Sequence, residues 1–171
     1  MNKYKPHVYV LPEDDANRQL ANGFLLCLEG SNIQVLEEVG GWIAVLECFV
    51  TDHVAGMMSY ASRFMILLID FDRHPERLHF ARGKVPEQLA ERVFVLGALS
   101  EPEELRAALS LPYESIGASL AKDCWERTDT VWRHELLSHN AAELERLNAS
   151  VRPILFPTSP LSPRARTPHD L

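Results

Sequence analysis

Phe64-Met65-Ile66-Leu67-Leu68-Ile69-Asp70-Phe71-Asp72 is the stretch that decides the fold. Its first six residues are all apolar, so neither side of a strand made from them suits solvent. A strand reads this way when helices cover both faces of a parallel sheet. The run ends abruptly in an Asp-x-Asp pair. Val93–Leu96 (VFVL) repeats the pattern and stops at Gly97. Upstream, His7–Leu11 (HVYVL) lies between Pro6 and Pro12 and reads as a first strand, and 33–39 (IQVLEEV) as a second.

Helical spacing fills the intervals. Asp14, Asp15 and Asn17 offer capping oxygens to a helix through NRQLANGFLLCL, with Leu20, Phe24 and Leu28 on one side. Gly40-Gly41 precedes a helix predicted over 42–60, where Trp42, Val45, Phe49 and His53 share a face. A short helix through VPEQLAERV separates the third and fourth strands. SEPEELRAAL, YESIGASLAKDCWE and an amphipathic segment predicted as helix from Thr130 to Asn148 follow. Trp132, Leu136, Leu137, Leu144 and Leu147 form the apolar set of that last helix, with Thr128 or Asp129 as its cap, and Trp125 and Trp132 anchor the C-terminal helices.

Strands alternating with helices predict an α/β fold of the Rossmann-like three-layer type. Its sheet is mainly parallel with four strands, and extra helices follow it. The expectation is a single domain over 1–152 and a disordered tail over 153–171, where Pro, Ser and Arg dominate.

The chain has 171 residues, 46% of them apolar, enough for one sizeable core. A net charge of −7, from 24 acidic and 17 basic residues, argues against holding duplex DNA chiefly by basic electrostatics. It is compatible with a metal-dependent enzyme, because bound cations offset local negative charge. Cys27, Cys48 and Cys124 are widely spaced and lack a zinc pattern, so free thiols are expected, buried for Cys27 and Cys48. The N-terminal residues lack the apolar run of a signal peptide, and no stretch reaches the roughly 20 apolar residues of a membrane span. A cytoplasmic protein with no membrane partner is the expectation.

In parallel sheets functional groups gather beyond the carboxyl ends of the strands. The first strand delivers Glu13-Asp14-Asp15 there, and the third delivers Asp70-Phe71-Asp72. Residues two apart on extended backbone point to one side, so Asp70 and Asp72 are expected to face a cation together. Oxygen ligands of this kind suit Mg²⁺ or Mn²⁺. Asp14 and Asp15 have helix capping as a competing use. Glu101, Glu103 and Glu104 reach the same edge, but Ser100 as N-cap and Pro102 in the first turn point to ordinary helix N-terminal chemistry. Arg73, His74 and Arg77 either meet substrate phosphates or stay solvated. Gly40-Gly41 is a phosphate-approach loop or a plain turn. His134 and His139 are five apart, which is not a helical metal pair, and are expected as surface or satisfied core residues.

A strand ending in Glu13, a Gly-Gly segment after the second strand and a strand ending in Asp70-Phe71-Asp72 together resemble the Toprim domain of topoisomerases, bacterial primases and related nucleases. The resemblance spans about Tyr9 to Leu105 and is nearest to small stand-alone Toprim-like proteins. It implies Glu13 as general acid/base or metal ligand, Asp70 and Asp72 as Mg²⁺ ligands, and phosphoryl transfer or phosphodiester hydrolysis on nucleic acid or a small phosphorylated substrate. The family's first motif usually has Gly after the Glu and an acidic residue four positions on; Asp14 and Asn17 stand there in this chain. Two other readings stay open. One is a non-catalytic Toprim-like interaction module. The other is a receiver-like domain with Asp70 as phosphoacceptor, although Leu96-Gly97-Ala98 lacks the hydroxyl residue a receiver carries at the end of its fourth strand.

Overall fold

The structure, a computed structural model, describes residues 4–28, 30 and 32–157. It is an α/β three-layer arrangement around four parallel strands, β1 (His7–Pro12), β2 (Ile33–Val35), β3 (Arg63–Leu68) and β4 (Val93–Leu96), in the order β2-β1-β3-β4. Alternation along each strand explains the unbroken apolar runs. Val8, Val10, Ile66, Phe94 and Leu96 turn to one face, and Leu11, Met65, Leu67, Val93 and Val95 to the other.

Helix α1 (Asp15–Leu25) covers the first face. The second is covered by α2 (Trp42–Cys48), a π-helical turn over Phe49–His53 and α3 (Val54–Ser59), together with α4 (Arg77–Gly83) and a 3₁₀ turn over Glu87–Arg92. The chain leaves β1 towards one sheet edge and returns past it from β2 to β3. Right-handed crossovers in opposite directions place their helices on opposite faces. The gap between β1 and β3 is therefore the topological switch point, where open α/β sheets bind ligands.

After β4 come α5 (Pro102–Leu109), α6 (Tyr113–Glu126), α7 (Ala141–Ser150) and α8 (Arg152–Leu155). The expected helix from Thr130 to Asn148 forms only in its second half. Two competitors win the first half. The buried Asp123 carboxylate accepts from the Thr128 hydroxyl (2.7 Å) and from the Val131 N–H (2.6 Å), and the Leu136 carbonyl is taken by the Leu99 N–H (2.8 Å). Turns result, then a 3₁₀ segment at Ser138–Asn140. Helix α1 also stops before the expected Leu28, which leaves Cys27 exposed rather than buried; Cys48 is half-buried, and all three cysteines are free. The expected tail begins too early as well. Leu155 and Phe156 are buried against Val8, Val10 and Leu147, and residues 158–171 lie outside the described residues. No helix among the described residues is long and apolar enough to cross a membrane.

The outer edge of β4 is sealed by side chains. Arg82 donates to the Val93 carbonyl (2.7 Å), and the Val95 N–H donates to Glu143 (2.9 Å). Asn140 then takes both backbone groups of Gly97, accepting from its N–H (3.1 Å) and donating to its carbonyl (2.8 Å). Glu143 is buried and held by Arg82 and Arg146. Gly97 has no alternative at this bend, since a Cβ there would stand 1.6 Å from the Ile69 carbonyl oxygen. An edge closed this way offers no template for another strand. Asn140→Ala would strand two buried backbone groups, so the variant is expected to lose about 2–6 kcal/mol in urea unfolding, at about 1–3 kcal/mol per unsatisfied group. A loss under about 0.5 kcal/mol would mean that the seal is dispensable.

Candidate functional site at the switch point

Glu13 directly follows β1. Its N–H continues the ladder to the Leu68 carbonyl (2.9 Å), and its carboxylate then accepts the N–H of Asp70 (2.7 Å). The Glu13 carbonyl accepts from the Gly40 N–H (2.8 Å), which draws in the loop after β2. Gly40 and Gly41 have φ of 84° and 141°, backbone that side-chain-bearing residues rarely adopt. The pair is thus demanded by the turn into α2.

Asp14 is the N-cap of α1, accepting from the Asn17 N–H at 2.8 Å, as capping chemistry predicted. Asp15 is exposed and bonded to Arg18 and Gln19. Asn17 is wholly buried and points its amide NH₂ at two carboxylates: Asp70 (2.8 Å) and Asp14 (3.1 Å).

Asp70 extends β3, since Ile69 and Phe71 still bond to Leu96 and Ala98, and it is only 7% exposed. Its carboxyl is pushed up to about 7. Burial is the main cause; the Asn17 bond opposes it, and the Glu13, Asp14 and Asp72 charges add to it. Glu13 is raised too, first by burial, against the stabilising bond from Asp70 N–H and with further pressure from Asp14 and Asp72. Neither Glu13 nor Asp70 is in an ion pair among the described residues, and Glu13 Oε1 and Asp70 Oδ2 have no hydrogen-bond partner among them.

Asp72 departs from the expected arrangement. Asp72 and Arg73 both have positive φ (46° and 60°), so the chain has left extended backbone and the two-residue rule no longer applies. Its carboxylate is paired with Arg77 at 2.6 Å. Arg77 is mostly buried, donates also to the Asp70 carbonyl (2.7 Å) and stacks over Trp42 at 4.6 Å. Consequently no group of three or more His, Cys, Asp or Glu side chains among the described residues stands ready to ligate one ion.

Glu104 reaches Arg73 (2.5 Å) and not the pocket, and Glu101, rather than Ser100, is the N-cap residue of α5. His139 also differs from expectation: both of its buried ring nitrogens lack partners among the described residues, its ring lies edge-on to Phe71 (4.6 Å), and burial holds its pKa below the usual value. Asn17 and Arg77 are the site residues that sequence reasoning undervalued. The available signal was position: Asn17 one helical turn after Asp14, and Arg77 five residues after Asp72.

Compared with protein-family models, curated proteins and solved structures, the chain finds no match in any of the three.

The raised Asp70 carboxyl sets a pH dependence. Asp70 ionises near 3.8 in the unfolded chain and near 7 in the folded one, so between these values the folded state holds the extra proton. Stability therefore falls as pH rises through that window. Asp70→Asn is expected to exceed wild type by about 1 kcal/mol or more at pH 8, with the gap closing towards pH 4, in urea unfolding at a series of pH values. A gap independent of pH would contradict this ionisation.

Proposed function

We propose that the carboxylate pocket at the switch point binds a divalent cation, Mg²⁺ or Mn²⁺, and acts on phosphate esters by phosphoryl transfer or phosphodiester hydrolysis. One observation carries the reading: Glu13 and Asp70, on neighbouring strand ends, are partly or largely buried without a cationic partner among the described residues. Each carboxylate keeps one hydrogen bond but no ion pair among those residues, and burial raises the pKa of both, a burden that a bound cation would relieve. Two oxygen donors fit Mg²⁺, which is commonly held by one or two carboxylates and completes its shell with water and substrate phosphate. Asp72 is the third ligand if it exchanges Arg77 for the cation.

A cation in this pocket supplies polarisation of a phosphate oxygen and a more acidic bound water. The chain contributes the rest. Glu13, whose carboxyl is raised from its ordinary value by burial, would move a proton at its Oε1. Asn17 holds Asp70 and Asp14 in place through one amide. Arg77, braced by Trp42, is the cation nearest the Asp pair and suits a substrate phosphate. Nucleic acid and small phosphorylated molecules both meet these requirements, and the acidic surface favours the smaller substrate or a partner that delivers the larger one.

At 10 mM Mg²⁺ and a dissociation constant near 1 mM, linkage stabilises the fold by about 1.4 kcal/mol, or roughly 3–5 °C in melting temperature. Asp70→Asn is expected to abolish the shift. In parallel, single- and double-stranded DNA and RNA and a chromogenic phosphodiester are incubated with Mn²⁺, with Glu13→Gln beside wild type. Cleavage lost in Glu13→Gln supports the hydrolytic reading. A metal-induced shift without cleavage supports the interaction-module reading instead, and wild type indifferent to millimolar metal overturns the site.

A further inference from the structure

Arg77 is held from three sides. Its Nη1 donates to the Asp70 carbonyl (2.7 Å), its guanidinium carbon lies 4.6 Å from the centre of the Trp42 ring, and its Nη2 meets Asp72 Oδ2 at 2.6 Å. Trp42 is in turn backed by the Phe80 ring, edge-on at 5.5 Å. The two members of the ion pair differ in freedom. The Arg77 side chain is 14% exposed, that of Asp72 44%. Below Asp72 the backbone is pinned, because the N–H groups of Arg73 and His74 donate to the carbonyls of Leu99 (2.6 Å) and Phe71 (2.7 Å). Arg73 itself turns its guanidinium to Glu104.

When this pair opens, the carboxylate is therefore the group that moves. Arg77 keeps the Asp70 carbonyl and the Trp42 face, while Asp72 needs only a change of rotamer on a fixed backbone. Charge decides where it turns. Asp72 stands near enough to Glu13 and Asp70 to raise both carboxyls. Repulsion from them keeps it on Arg77, and a cation between them reverses that preference. The move leaves Arg77 Nη2 as a charged donor in a fixed place beside the pocket. A guanidinium takes phosphate oxygens with the same geometry as carboxylate oxygens.

We propose that Asp72 is a two-position gate on a phosphate subsite at Arg77 Nη2, covering the guanidinium in the metal-free protein and uncovering it by turning to the divalent cation. The inference rests on the cation reading of the pocket and adds an order to it, cation first and phosphate second. By linkage, phosphate then tightens the cation by the same factor that the cation tightens phosphate. The gate also keeps Arg77 from holding a phosphate group in a pocket that lacks its cation.

Inorganic phosphate is titrated into isotope-labelled protein with and without Mg²⁺, reading the Arg77 Nε–H and the Asp70 and Asp72 carboxyl carbons by NMR. In wild type without metal, phosphate is expected to leave Arg77 in place. Mg²⁺ is expected to move the Asp72 and Arg77 signals together with that of Asp70, and phosphate then to shift Arg77 saturably, roughly tenfold or more tighter than without metal. Asp72→Asn removes the charge while suiting the left-handed backbone, which Asn adopts readily. This variant is expected to bind phosphate at Arg77 with no metal, again roughly tenfold or more tighter than wild type. Adding Arg77→Met is expected to abolish that binding, and Asp14→Asn, the same change in charge with Asp72 in place, not to produce it. An Asp70 signal indifferent to Mg²⁺ overturns the cation reading and this inference with it. An Asp70 signal that moves while Asp72 and Arg77 stay put overturns this inference alone, and wild type suffices to see it. The inference is also overturned if folded Asp72→Asn binds metal-free phosphate no better than wild type, or if its binding survives the loss of Arg77.

Discussion

Glu13 is bonded to three parts of the chain at once. Its N–H meets the Leu68 carbonyl, its carbonyl meets the Gly40 N–H, and its carboxylate meets the Asp70 N–H. The last bond matters most. It puts a carboxylate where a strand backbone would otherwise continue the ladder, so the end of β1 is joined to the extension of β3 by a charged group. Everything at the switch point follows from this tie: Asp70 is fixed at the pocket, the Gly40-Gly41 turn starts α2 beside it, and Asp14 caps α1 on its other flank.

The same tie has an electrostatic cost. Four carboxylates, Glu13, Asp14, Asp70 and Asp72, lie near enough to raise Glu13 or Asp70, and burial adds to this. Arg77 pairs with Asp72 and its charge also eases Glu13, but among the described residues it forms no ion pair with Glu13, Asp14 or Asp70. Asn17 offers Asp70 and Asp14 a hydrogen bond without a charge. Natural proteins carry uncompensated features of this kind mainly at functional sites, where stability is traded for chemistry. The sheet edge shows the contrast. Glu143 is as buried as Asp70, yet two arginines and a backbone N–H surround it. In one fold, one buried carboxylate is fully answered and another is not.

Strand content and order along the chain were legible because each strand is coded by its own residues: β3 and β4 are apolar on both faces, and both faces prove to be covered. Glu13 and Asp70 were legible for the same reason, each following a strand in a parallel sheet. Asp72 was harder to read, since its place depends on two consecutive left-handed residues, which the Asp-x-Asp spacing does not encode. The 130–140 segment misled because its leucines keep helical spacing while Asp123 and Leu99, distant in sequence, claim its backbone. Leu155 and Phe156 were hidden by a Pro-rich neighbourhood. The Asn140 and Glu143 seal arises only when α7 meets the sheet, so no local pattern announces it.

Asp70 is a buried acid without an ion pair among the described residues, and in the proposed site it accepts a divalent cation. Carboxyl ¹³C NMR of Asp70 across pH, with and without Mg²⁺, reads this at the atom concerned. The expected midpoint is near 7 without metal, moved down by a unit or more when millimolar Mg²⁺ is present. An ordinary midpoint near 4 in metal-free protein, or one that Mg²⁺ leaves in place, would contradict it.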